Sequence, residues 1–173
     1  MGEPAEHDAG CSMSELTEHD AGCPTSEDLD LLRQWGGLQS GFRRLTNQLL
    51  DDVEAKAAVS PSSFQVLWFL MTSEGNTARM NELAQTLDFS TAGTTKVADR
   101  LADAGLIERR ACSEDRRVIL ATLTEQGKRT SMAAGIVLAA SLRERAIAPL
   151  GVDHFTAIAA ALGSLDPDAD AGC

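Results

Sequence analysis

Tyrosine is absent, aromatic residues make up 4% of the 173 positions, and the first 30 residues contain no lysine or arginine. The four cysteines (Cys11, Cys23, Cys112 and Cys173) are scattered, which argues against a disulfide framework and fits a reducing cytoplasm. No apolar run approaches the ~20 residues that a membrane-spanning helix needs. The longest candidate, 132–142, is short and rich in Ala and Gly. The acidic N-terminus lacks the apolar stretch of a secretory leader, so a cytoplasmic location with no membrane partner is expected. Phosphate-loop and dinucleotide fingerprints are missing. Of three histidines, His7 and His19 lie near the N-terminus and His154 stands alone. GLQSG at 37–41 falls in a helical pattern without the strand that precedes a nucleophile elbow. These absences argue against an enzyme, and no cofactor is expected.

What is present is strongly segregated. The formal net charge is −11, yet residues 1–30 and 166–173 hold 12 of the 26 acids. The stretch 31–165 keeps 14 acids against all 15 bases, a net of +1. The acidity therefore belongs to the ends. It bears on solubility and on electrostatic steering more than on the fold. Residues 1–26 read as an acidic, disordered tail and 166–173 as a second acidic tail, flanking one domain at 27–165. EHDAGC occurs at 6–11 and again at 18–23. His7, Cys11, His19 and Cys23 supply an N2S2 donor set, but HDxxC is a weak zinc spacing, and no metal site is expected.

Within the domain, Leu31, Trp35, Leu38, Phe42, Leu45 and Leu49 recur at steps of four and three, a 3.5-residue repeat. Such a seam over 29–55 asks for a partner helix, in the same chain or in a second copy. Ser60-Pro61 starts a second helix whose run FQVLWFLM is apolar nearly all round, and Glu74-Gly75-Asn76 ends it. Residues 79–87 and 90–104 form two short helices about a turn at Asp88-Phe89, with Gly105 closing the second. That is a helix-turn-helix. β-rich flanks at 105–110 and 118–124 around a charged loop predict a hairpin. A helix over 125–148 is broken by Pro149 and Gly151, and a last one at 152–165 places Val152, Phe155, Ile158, Leu162 and Leu165 on one face.

The second helix of the pair carries short hydroxyls and cations: Ser90, Thr91, Thr94, Thr95, Lys96 and Arg100. A helix so decorated fits a major groove, where its N-terminal residues reach base edges. At the hairpin tip, Arg116 and Arg117 can enter the neighbouring minor groove, with Asp115 orienting a guanidinium.

The string from STAGTTKVADRL at 90–101 through AGLIERR at 104–110, DRR at 115–117 and LTEQG at 123–127 resembles the MarR family of bacterial transcription regulators. The likeness extends over about 29–165. It implies a mainly α fold with a small β-hairpin wing (α+β), a winged helix-turn-helix at 59–124 between dimerisation helices at 27–58 and 125–165. It implies a homodimer, interlocked through Leu31, Leu38, Leu45, Phe155, Ile158 and Leu162. That dimer would read double-stranded DNA at a palindromic operator, as a repressor. Base contacts fall on Thr94, Thr95 and Lys96, with Ser90 and Thr91 at the helix start and the wing arginine on Arg116 or Arg117. Many relatives release DNA on binding a small aromatic anion. Such a cleft falls here among Trp35, Leu38, Phe42, Phe64 and Trp68, which are otherwise core residues, with Arg43 or Arg44 as a carboxylate partner and no tyrosine to help. Two alternatives stand beside this reading. One is a protein-interaction module on the same fold without DNA binding. The other is a redox-responsive regulator using Cys112, whose surrounding arginines favour a thiolate while Glu114 and Asp115 oppose it.

Overall fold

A computed structural model describes residues 24–87, 89–112, 115 and 117–165. It divides into two compact units, Met1–Arg43 and Arg44–Cys173, considered separately below. The first helix, α1 (Ser26–Ala57), begins in one and ends in the other. Its start is capped reciprocally: Thr25 N–H donates to Asp28 Oδ2 at 2.9 Å, and Asp28 N–H donates to Thr25 Oγ1 at 3.2 Å. In the first unit, Leu31, Leu32, Trp35, Leu38 and Phe42 of α1 are all exposed.

In the second unit, α1 contributes Leu49 and Val53 to the interior. Ser60 precedes α2 (Pro61–Thr72), with Pro61 in its first turn. The apolar run makes this the central helix: Phe64, Val66, Leu67 and Leu70 are buried. Leucines buried this fully contribute about 1.5–3 kcal/mol each. A 3₁₀ turn (Glu74–Asn76) leads into β1 (Thr77–Arg79), then α3 (Met80–Thr86) and α4 (Thr91–Asp103). β2 (Ile107–Ala111) and β3 (Ile119–Leu123) form the expected hairpin. The antiparallel sheet has the order β1-β3-β2, with Thr77 opposite Thr122 and Arg109 opposite Ala121. The sequence predicts the hairpin and not β1, because three residues are too few to show alternation. β1 is held by its ladder to β3 and by a 2.9 Å contact between Thr77 Oγ1 and Thr122 Oγ1.

The C-terminal part runs as α5 (Glu125–Leu142), a π-turn (Arg143–Ile147) and α6 (Ala148–Leu150), before turning 104° at Gly151 into α7 (Val152–Gly163). Pro149 thus sits inside the helical run and does not end it. The break falls at Gly151, whose φ of 82° is open only to glycine at low cost. Among the described residues no single helix is long and apolar enough to cross a bilayer. The result is mainly α with a small antiparallel sheet, as the sequence predicts.

Candidate nucleic-acid interface

α4 is built by local chemistry at both ends. Ser90 is its N-cap, with Oγ accepting from Gly93 N–H at 3.1 Å. At the other end Ala104 is the C-cap, and Gly105 follows at φ +69°. Val97, Ala98 and Leu101 pack inward, and α3 lies against the same core through Leu83.

Thr91, Thr95, Lys96 and Arg100 are exposed, and so is the capping Ser90. Thr94 is not. It is 2% exposed, and its Oγ1 donates to the Ser90 carbonyl at 3.2 Å. Placing it on the polar face is corrected by helical arithmetic. Position 94 lies three, four and seven residues before 97, 98 and 101, so it shares the buried stripe, and its hydroxyl is satisfied within the helix. Thr95 Oγ1 likewise donates to the Thr91 carbonyl at 3.0 Å. Arg100 reaches back to α2, with Nη2 at 3.4 Å from Ser62 Oγ.

The wing is coupled to this helix by a pair whose positioning role the sequence pattern does not announce. Arg109 Nη2 of β2 lies 2.5 Å from Asp99 Oδ1 of α4. The only signal for it is the pair of strings DRL and ERR, whose Asp99 and Arg109 stand ten residues apart. At the hairpin end, Cys112 N–H donates to the Val118 carbonyl at 2.8 Å. Asp115 Oδ1 accepts the backbone N–H of Arg117 at 2.9 Å, while Arg117 Nε stays 3.8 Å away. Asp115 therefore shapes the turn, and among the described residues it does not form the expected bidentate guanidinium pair with Arg117. It leaves the Arg117 side chain 95% exposed. Arg116 lies outside the described residues, as do Cys11, Cys23, His7 and His19. Among the described residues no cluster of three or more His, Cys, Asp or Glu has metal-binding proximity.

The base of the wing is stitched to the helices on either side. Thr124 Oγ1 accepts from Gly127 N–H at 3.0 Å as the N-cap of α5, and donates to the Gly105 carbonyl at 2.7 Å. Gly127 packs so tightly that a Cβ would sit 1.9 Å from the Leu106 carbonyl oxygen. The LTEQG string therefore encodes a close approach between the end of the α4 segment and the start of α5.

The aromatic residues assigned to a ligand cleft divide. Phe64 is 3% exposed and belongs to the core cluster, so it is corrected from cleft lining to core. Trp68 stacks on it, with ring centroids 5.9 Å apart, and its indole lies where a Cβ on Gly135 would come within 2.6 Å. The outer part of Trp68 remains exposed, as do Trp35, Leu38 and Phe42 on α1. Of the positions assigned to dimerisation, Leu31, Leu38, Ile158 and Leu162 are exposed, while Leu45 and Phe155 are half-buried.

Comparison with known proteins bears on this arrangement. The MarR family profile matches residues 59–118. The HTH-type transcriptional repressor MdtR of Bacillus subtilis (strain 168) is 32% identical over 90 residues, which are 52% of this chain and 56% of that protein. The chain thus spans about half the length of the curated relatives it matches. Among solved structures, AbsC, a MarR family transcriptional regulator from Streptomyces coelicolor, superposes with a TM-score of 0.66 at 28% identity. The superposition covers 83% of this chain and 94% of AbsC. The transcriptional repressor CouR, bound to a 23-mer DNA duplex, gives 0.65 at 26% identity, covering 75% and 89%.

Proposed function

We propose that the chain is a transcription regulator of the MarR family that binds double-stranded DNA as a homodimer at a palindromic operator and acts as a repressor. The observation that carries this reading is the exposed edge of α4, with Thr91, Thr95 and Lys96, held beside the wing by the Asp99–Arg109 pair. Lys96 reads a base edge in the major groove, and Arg117 at the wing reaches the adjacent minor groove or its phosphates. Arg100 contacts backbone phosphate. Arg116 is assigned with Arg117 on its place in the sequence alone.

In this reading residues 59–124 are the DNA-reading part, and 27–58 with 125–165 form the dimer. The exposed apolar residues of α1 and α7 support the pairing, since faces of that size are normally covered. MdtR and CouR are both named repressors, which favours that direction of control here. The exposed outer part of Trp68 offers an aromatic surface to a small aromatic or anionic effector that releases the DNA.

The test is selection of duplexes from a random pool by the purified protein, followed by titration of the enriched sequence at rising salt. A palindromic consensus with steeply salt-dependent affinity supports the proposal. Failure to enrich any duplex defeats it and favours a protein-interaction role on the same fold.

A further inference from the structure

The run α5–π-turn–α6 carries a feature that the DNA-reading elements do not use. Ala148 N–H donates to the Arg143 carbonyl, five residues back, where an α-helix would use four. Pro149 explains the widening. It lacks an N–H, and in an α-helix its ring would press on the carbonyl of the residue four earlier, Arg145. The widened turn sets Arg145 opposite Asp52 of α1. The guanidinium forks onto the carboxylate, with Nε to Oδ2 at 2.8 Å and Nη2 to Oδ1 at 3.0 Å.

Both ends of this bridge are anchored. Asp52 is flanked by the buried Leu49 and Val53, and Arg145 by the buried Ala146. One turn before the bridge, Ser141 Oγ is fully buried with no hydrogen-bond partner among the described residues. Immediately after the bridge the chain turns 104° into α7.

We propose that Asp52 and Arg145 form a latch, aimed by the π-turn that Pro149 imposes, which fixes the angle between α7 and the helical run α5–α6 within the second unit. Both act as positioning residues. The angle stands on this chain's own geometry. Its consequence rests on the dimer reading above: with α7 in the dimer contact, the latch sets the separation of the two recognition helices and so the half-site spacing that the protein accepts.

The test places spin labels at Thr95→Cys and Thr156→Cys in the full chain, with the four native cysteines replaced by serine and the labelled chain diluted into excess unlabelled chain. A single narrow distance is expected for the parent. Asp52→Asn broadens it, Pro149→Ala shifts it, and the charge swap Asp52→Arg/Arg145→Asp narrows it again. Thermal melts establish that each variant is folded, and Arg145→Gln replaces Asp52→Asn if that variant is not. An unchanged distribution in the single variants overturns the latch. So does a broadening that the swap fails to reverse, because it reports packing and not pairing. In parallel, unlabelled wild type should reject an operator whose half-sites are moved apart by one base pair, and Asp52→Asn should accept it more nearly equally. If no duplex binds at all, the DNA reading fails while the distance measurement still decides the latch.

Discussion

Asp99 of α4 and Arg109 of β2 face each other at 2.5 Å, the one ion pair among the described residues that joins α4 to the hairpin. Both side chains are a third to a half exposed, so the pair contributes only about 0–1 kcal/mol to stability. Its effect is on position: it fixes where the wing, and with it Arg117, stands relative to α4. Asp99→Ala should therefore shift the thermal midpoint little and weaken duplex binding more than that shift accounts for. Melting curves and fluorescence anisotropy on the same samples check this. Unchanged binding beside reduced stability would contradict it.

Gly127→Ala reverses the usual sign of a glycine-to-alanine change in a helix. Elsewhere in a helix interior alanine is favoured by about 1 kcal/mol. Here the added methyl would meet the Leu106 carbonyl oxygen at 1.9 Å, its carbon at 2.9 Å and Leu123 Cδ2 at 3.1 Å. Overpacking of this kind costs roughly 1–3 kcal/mol. Urea unfolding should show a lower midpoint with an unchanged slope.

The fork from Arg145 holds the Asp52 carboxyl down from 3.8 to about 2, and the buried Ser141 hydroxyl adds to the effect although it falls outside hydrogen-bonding geometry. A carboxyl whose pKa is lower in the folded state stabilises that state above its unfolded pKa. The contribution is lost as pH falls through the folded value. The stability it supplies should thus be complete at neutral pH and disappear between about pH 4 and pH 2. Asp52→Asn should flatten that part of the acid limb of a stability-against-pH curve. A wild-type limb retained in full would assign it to other groups.

Fold and interface were legible in the sequence to different depths. The cap at Ser90, the stop at Gly105 and the start at Ser60-Pro61 depend on local backbone chemistry, and the structure has each where the residues indicate. The burial of Thr94 was also legible, from its three- and four-residue spacing to Val97 and Ala98, but its hydroxyl argued for the wrong face. Phe64 sits in a run apolar on all sides, which by itself implies burial. Three things were not legible. β1 is a strand only because β3 lies beside it. Asp115 was readable as acidic but not as the acceptor of a backbone N–H two residues on. Pro149 carries a breaker's signature, yet a helix that slips to a five-residue hydrogen bond runs through it.

Leu38 is 68% exposed on α1, and Ile158 is 48% exposed on α7. A charge at either position removes little burial from the isolated chain. Leu38→Glu should therefore lower the sedimenting mass at a given concentration while the helical circular-dichroism signal is kept. The same outcome is expected for Ile158→Glu. Mass unchanged in both variants would mean that these faces are not the ones paired.

Lys96 and Arg117 are both exposed cations, yet they should fail differently when removed. A side chain at a base edge discriminates one base pair, so Lys96→Ala should cost about 1–3 kcal/mol on the preferred operator and relax preference at one position per half-site. A wing cation acts mainly on phosphate and groove potential. Arg117→Ala should weaken binding to all duplexes alike and reduce the dependence of log affinity on log salt by about one unit for each phosphate it no longer neutralises. Titrations of each variant against the preferred duplex and a single-base substitute, at several salt concentrations, separate the two behaviours. The roles are exchanged if Arg117→Ala changes the preference and Lys96→Ala changes only the slope. Neither residue touches the duplex if neither variant moves either quantity.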